Sequence, residues 1–360
     1  MRFCINVPSP SASDRPTLPL SKAPSAVNAA IANLEEQERL LELVRSSRQR
    51  ISRELSKAIV GQHEVIEQLL ICLFAGTHCL ITGAPGLAKT LLVRSVAQIF
   101  HLDFQRIQFT PDLMPADITG TEILEQHEDG KRRMHFVKGP IFANVLLADE
   151  INRTPPKTQA ALLEAMAEGQ VTVAGNRYEL ERPFFVLATQ NPIEMEGTYP
   201  LPEAQLDRFM FNVLIDYLPY DDELEVVLQT TSRSAEPIEP LFTGEDVRNF
   251  HALVRGVPIA ESVAGYAVRL VSASRPNRPG SASFADEWIA WGAGLRAAQM
   301  LVLGAKARAL LQGRSNVANE DITALAGPTM RHRLLLTYKA EAQGIRVEDC
   351  IDRLIREIKP

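Results

Sequence analysis

At 360 residues the chain is long enough for two domains with cores of their own, and its 46% apolar and 23% charged content excludes a disordered or fibrous protein. A formal net charge of −6 argues against a dedicated nucleic-acid grip, which carries a basic surplus, although local basic patches are compatible with it. Cys4, Cys72, Cys79 and Cys350 show no C-x-x-C spacing and no grouping with histidine, so they read as reduced thiols packed in the core of a cytoplasmic protein.

Residues 1–25 include a Pro- and Ser-rich leader, lack the apolar run of a secretory signal, and are expected to be disordered. From 26 to 58 the pattern is helical, with Leu34, Leu40, Leu41, Leu43, Ile51 and Leu55 forming a loose stripe. That segment would cap the main domain, touch a neighbour, or lie on the surface. The most hydrophobic stretch, Leu69 to Ile81, is too short to span a bilayer and is interrupted at Gly76-Thr77-His78. It reads as a helix turning into a strand.

Residues 59–216 alternate helix-like and strand-like segments, with strands expected at CLIT, FQRIQF, NVLLAD, FFVLAT and FNVLID. Short apolar runs separated by helices predict an α/β fold, a mainly parallel five-stranded sheet covered on both faces. Ligands of such sheets lie beyond the carboxyl ends of the strands, where Asp149-Glu150 and Gln190-Asn191 fall. Two insertions interrupt the alternation. Residues 121–139 read as a hairpin turning at Asp129-Gly130, and 170–182 as a second turning at Gly175-Asn176. Neither has a face apolar enough for its own core, so both should project. After Asp216 the composition changes. A loose linker, Ser232 to Pro240, is followed by helices expected at Gly244 to Val254, Ile259 to Ser274, Asp286 to Gln312, Glu320 to Gly327 and near the C-terminus, giving a small all-α domain over 217–360.

The chemistry is concentrated in GAPGLAKT, Gly83 to Thr90, and in VLLADE some sixty residues on, which ends in Asp149-Glu150. A Gly/Pro loop that follows a strand and opens into a helix aims backbone N–H groups and the helix dipole at phosphate oxygens. The candidate nucleotide-binding residues here are Gly83, Pro85, Gly86, Leu87, Ala88, Lys89, Thr90 and Leu91. Lys89 would reach the β- and γ-phosphates of ATP, and the Thr90 hydroxyl and Asp149 would hold Mg²⁺ from opposite sides. Glu150 would polarise the attacking water. The general pattern has Gly where this chain has Ala88.

Three longer runs resemble the MoxR-type AAA+ ATPases, of the branch with an insertion in the second helix: RIQFTPDLMPADITG (Arg106 to Gly120), GPIFANVLLADEINRTPPKTQAALLEAM (Gly139 to Met166) and VLATQNPIEMEGTYPLPEAQLDRF (Val186 to Phe209). The similarity covers roughly Ile59 to Ile358. It implies an AAA+ P-loop NTPase core with a helical lid, and Ala88 is the form this family uses. It further implies that Val60-Gly61-Gln62 lies beside the adenine base, that Asn191 is the first sensor, orienting water with Glu150, and that Arg208 is an arginine finger acting in trans, hence a closed, hexameric homo-oligomer. Arg296 matches the second sensor on the lid, although the family more often has Ser-Pro where this chain has Gly294-Leu295. The resemblance implies a chaperone-like remodeller of a client protein, with both hairpins facing the pore or partner. A partner carrying a von Willebrand factor A domain, and a link to metal insertion or enzyme maturation, are also implied. A chelatase-type motor subunit, a nucleic-acid motor and an ATP-binding scaffold with little turnover are the competing readings; no nucleic-acid partner and no membrane span are expected.

Overall fold

The protein is seen in a computed structural model that describes residues 47–126, 132–191, 197–232 and 236–360. The 1–25 leader, residues 26–46 of the following segment, Cys4, the Asp129-Gly130 turn and residues 233–235 of the linker lie outside them. All the described residues belong to one compact unit.

In chain order, helix α1 (47–55) leads to α2 (His63–Ala75), β1 (Cys79–Gly83), α3 (Lys89–Ile99), β2 (Phe104–Gln108) and the short α4 (Pro115–Thr119). A hairpin of β3 (Gly120–Gln126) and β4 (Arg132–Lys138) precedes β5 (Val145–Asp149), α5 (Pro156–Glu168), a second hairpin of β6 (Gln170–Val173) and β7 (Asn176–Glu179), and β8 (Phe185–Gln190). The short α6 (Glu203–Leu206), β9 (Phe211–Ile215) and α7 (Tyr220–Ser232) complete the α/β part. Helices α8 (Gly244–Gly256), α9 (Glu261–Ala273), the short α10 (Ala285–Trp288), strand β10 (Ile289–Trp291), α11 (Leu295–Leu311), α12 (Asn319–Met330), the two-residue β11 (Leu335–Leu336), α13 (Tyr338–Ala342) and α14 (Val347–Glu357) follow.

The five strands expected from the sequence form one sheet in the order β2-β5-β8-β1-β9, and every neighbouring pair is parallel. Successive strand residues face opposite sides, so the inner strands β5, β8 and β1 are largely apolar because each face meets helices, whereas the edge strand β2 carries Gln105, Arg106 and Gln108. Leu80, Leu146, Ala148, Val186 and Ala188 pack with Leu162, Leu163 and Met166 of α5 on one side. Cys79, Ile81, Val145, Leu147, Phe185 and Leu187 pack with α2 and α3 on the other. Parallel strands finish at a common edge. That brings the loop after β1, the Asp149-Glu150 pair at the end of β5 and Asn191 after β8 together.

α1 is not a free surface helix over its described residues. Ile51 and Leu55 are fully buried in the cluster that contains α2 and α3, and Glu54 accepts the Glu239 backbone N–H at 3.1 Å. Both insertions are hairpins, and they pack against each other: Phe136 stacks on Tyr178 with ring centroids 4.0 Å apart, and Asn176 Nδ2 donates to Glu122 Oε1 at 3.2 Å. The second turn sits one residue earlier than the sequence suggested. Val173 pairs with Asn176, and Ala174 and Gly175 take the two positive-φ positions (49° and 86°) of a tight hairpin turn.

The helix expected over Asp286 to Gln312 is broken. α10 ends at Trp288, β10 pairs with β11, and α11 starts only at Leu295. Gly292 explains the interruption: a Cβ there would stand 2.4 Å from the Ser274 carbonyl, so the chain passes too close to α9 for helix to continue. The helical region therefore contains a small antiparallel pair rather than being purely α. α8 packs on α2, and Phe242 and Phe250 join Phe74 and Phe100 in an aromatic cluster with centroid separations of 4.7–5.7 Å. Farther on, fully buried Asp321 accepts from Arg308 and Arg314, each at 2.7 Å, and Arg308 reaches Glu67 of α2 at 3.6 Å.

Candidate nucleotide site

The loop after β1 is built on close approach. A Cβ on Gly83 would lie 2.4 Å from the Ile215 carbonyl, so only glycine lets β1 and β9 end this near to each other. Gly86 (φ 84°) and Ala88 (φ 55°) are left-handed, and α3 starts at Lys89 with Ala88 as its N-cap. The φ of Ala88 shows why glycine is common at this position: alanine adopts it at a cost of about 1 kcal/mol. Lys89 Nζ donates to the Gly83 carbonyl at 2.5 Å, under the loop. Burial lowers its pKa, and the carboxylates of Asp149 and Glu150 act in the opposite direction.

Residues 85–91 of the loop line a cavity of about 480 Å³ together with Asp149, Glu150 and Asn191. Three further lining residues were not foreseen: Arg106, Gln108 and Thr189. Asp149 accepts from the Thr189 hydroxyl through Oδ1 (2.6 Å) and from Arg106 through Oδ2 (2.6 Å and 3.1 Å). The same Thr189 oxygen accepts the Glu150 backbone N–H at 2.9 Å, tying the ends of β5 and β8 together. Glu150 is left-handed (φ 58°), and its Oε2 accepts from Gln108 Nε2 (2.8 Å) and Arg153 Nη1 (2.9 Å). Asn191 is buried at 6% exposure, at the edge of the cavity. Arg106 and Gln108 lie two apart on β2, opposite Leu147 and Asp149, so they emerge on one face beside the acidic pair. The available signal was two polar residues in a strand otherwise expected to be covered, and one hydroxyl at the end of an apolar run.

Other candidates lie elsewhere. Gly61 lines a separate cavity of about 210 Å³ with Ile59, His63 and Ile66, so Val60-Gly61-Gln62 is not among the residues lining the first. A Cβ on Gly61 would meet Asp222 Oδ2 at 2.6 Å. Arg208 also lies outside the first cavity, as does Arg296, whose Nη1 donates to Asp207 Oδ2 at 2.9 Å. Among the described residues the Arg208 guanidinium makes no ion pair. Cys72, Cys79 and Cys350 are buried and free, and the described residues contain no cluster of metal-ligating side chains.

The model of the ATPase family associated with various cellular activities (AAA) matches residues 78–211, and that of the AAA lid domain matches 281–354. Chaperone MoxR1 of Mycobacterium tuberculosis is 40% identical over 305 residues, covering 85% of this chain and 80% of that protein. The chain belongs to the MoxR-type AAA+ ATPases. Protein MoxR of Methylorubrum extorquens is 31% identical, covering 88% of this chain and 95% of its own. A candidate ATPase from Cytophaga hutchinsonii, known from its crystal structure, is 41% identical and superimposes with a TM-score of 0.83, over 91% of this chain and 98% of the other. As a MoxR-type AAA+ protein the chain binds nucleotide and hydrolyses ATP. None of the described helices is long and apolar enough to cross a membrane.

Proposed function

We propose that this MoxR-type ATPase works as a ring of identical subunits, a hexamer by family analogy, in which ATP held by one copy is met by Arg208 of the next. The cycle drives chaperone-like remodelling or maturation of a client protein complex in the cytoplasm. The observation that best supports this reading is the division of labour within one chain: the loop, Lys89 and the acidic pair share one cavity, while Arg208 stands outside it without an ion pair among the described residues. The relative in Mycobacterium tuberculosis, Chaperone MoxR1, supports the chaperone class.

Residues 85–91 would cradle the phosphates, and Val60-Gly61-Gln62 would flank the base. The hydroxyl of Thr90 and the carboxylate of Asp149 are hard oxygen donors on the same cavity, a set that fits Mg²⁺. Mg-ATP, when bound, supplies the phosphoryl group that water accepts. Arg106 would release Asp149 for that role, Glu150 would take a proton from water oriented by Asn191, and Arg296 would have to leave Asp207 to act as the second sensor. Arg208 of a neighbouring copy would spread the transition-state charge, a contribution of about 10³–10⁵ in rate. The paired hairpins would carry the motion to the client or to a partner with a von Willebrand factor A domain.

A mixing experiment tests the trans arrangement. Arg208→Ala and Lys89→Ala should each abolish most turnover alone, and the mixture should regain activity, since some interfaces then join an intact loop to an intact finger. No regain would contradict the shared site.

A further inference from the structure

Three consecutive residues after α12, Arg331, His332 and Arg333, reach from the helical region to the loop that carries Arg208. The Arg333 side chain is 2% exposed and all its donors are used. Nε donates to Asp207 Oδ1 at 2.7 Å; Nη2 donates to the carbonyls of Asp207 (2.9 Å) and Phe209 (2.7 Å); Nη1 donates to the carbonyls of Met210 (3.1 Å) and Thr329 (2.5 Å). Five N–H groups thus meet five acceptors, the full capacity of a guanidinium. His332 Nε2 donates to the Phe209 carbonyl at 3.2 Å, and Arg331 Nη1 to the Asn212 carbonyl at 2.7 Å.

The grip falls on both sides of Arg208 and spares its side chain. Asp207, Phe209 and Met210 are fixed through carboxylate and carbonyl oxygens. Asp207 has a second holder, since Arg296 takes its other oxygen at 2.9 Å. One carboxylate next to Arg208 therefore joins two arginines of the helical region, and moving that region must carry the 207–210 loop with it. A buried guanidinium with every donor engaged keeps one geometry, because any shift strands a desolvated N–H. Lysine, with three donors on a flexible stem, cannot reproduce it.

We propose that Arg333 is the positioning residue of the Arg208 finger: it locks the 207–210 loop to the lid, so that the lid of one subunit sets where its guanidinium stands at the next subunit's nucleotide. This rests on the reading of Arg208 as a finger acting in trans.

The test uses full-length Arg333→Met and Arg333→Lys, each alone and mixed with Lys89→Ala, with the Arg208→Ala mixture run in parallel. Displacement of a reacting group by 1 Å costs about 10²-fold, so kcat should fall by about that factor in Arg333→Met while binding of a fluorescent ATP analogue by the subunit stays at the wild-type level. Mixing with Lys89→Ala should restore turnover, because Arg333→Met leaves its own phosphate loop intact. Unchanged kcat would overturn the inference. So would a loss that Lys89→Ala does not rescue while the Arg208→Ala mixture recovers, since Arg333 would then serve its own site or the fold alone. Failure of the Arg208→Ala mixture would instead strike the trans reading itself, and this inference with it. Should Arg333→Met not fold, Asp207→Asn and Arg333→Lys carry the same comparison, as they weaken the grip and keep a basic residue at 333.

Discussion

Asp149 and Glu150 are adjacent in sequence yet serve different neighbours, and the backbone is the reason. Asp149 ends β5 in register with Gln108, whereas Glu150 turns into the left-handed region and sends its carboxylate to Gln108 and Arg153. A non-glycine residue there carries strain of order 1–3 kcal/mol, of the kind that gathers at functional sites. Glu150→Gln keeps the size and the hydrogen bonding but cannot take a proton. Turnover should fall by about 10²–10⁴-fold with nucleotide affinity unchanged, as read by phosphate release and analogue binding; undiminished turnover would place the base elsewhere. The acidic pair and the loop were legible from sequence because their chemistry is local. Arg106, Gln108 and Thr189 were not, because their partners lie 43, 42 and 40 residues away and only the strand register brings them together. Arg333 escaped for the same reason: a single arginine near a helix end shows nothing of the five acceptors that await it.

Among the elements, the inner strands of the sheet were readable as short, largely apolar runs because burial on two faces demands that pattern, whereas the edge strand β2 is partly exposed and carries Gln105, Arg106 and Gln108. The helix over Asp286 to Gln312 was misread, since periodicity cannot register the contact between Gly292 and the Ser274 carbonyl that breaks it. The joining of β1 to its surroundings offers a test by pH. His78, just before β1, accepts the Val186 N–H at Nδ1 and donates from Nε2 to the Met166 carbonyl, both at 3.1 Å. Burial pushes its pKa from 6.5 to about 4, the Met166 contact opposing. Because the folded value is the lower one, its contribution is fully present above about pH 6.5 and fades as pH falls toward about 4, by roughly 3 kcal/mol. Urea denaturation at pH 7 and pH 4.5 should show a smaller acid loss for His78→Gln than for the parent chain. His251 and His332, lowered in the same sense, keep some loss in the variant. Equal losses in both chains would remove His78 from the account.

For the molecule as a whole, the helical region and the sheet are not two independent bodies. α1, α2, α3, α8, α9, α11 and α12 contribute to one hydrophobic cluster, Arg308 ties Asp321 to Glu67, and Arg333 ties α12 to the loop beside Arg208. The helical region and the loop that carries Arg208 are therefore tied together. The decisive question is where the Arg208 guanidinium works in the assembled protein. The most direct measurement is the distance from the Arg208 guanidinium to the γ-phosphate across a subunit boundary, in an electron cryomicroscopy structure of the Glu150→Gln chain with Mg-ATP. A closed ring with each Arg208 within hydrogen-bonding reach of the neighbour's γ-phosphate is the predicted result. ATP bound in chains that stay monomeric, or in a ring whose Arg208 side chains point away from every nucleotide, would contradict it.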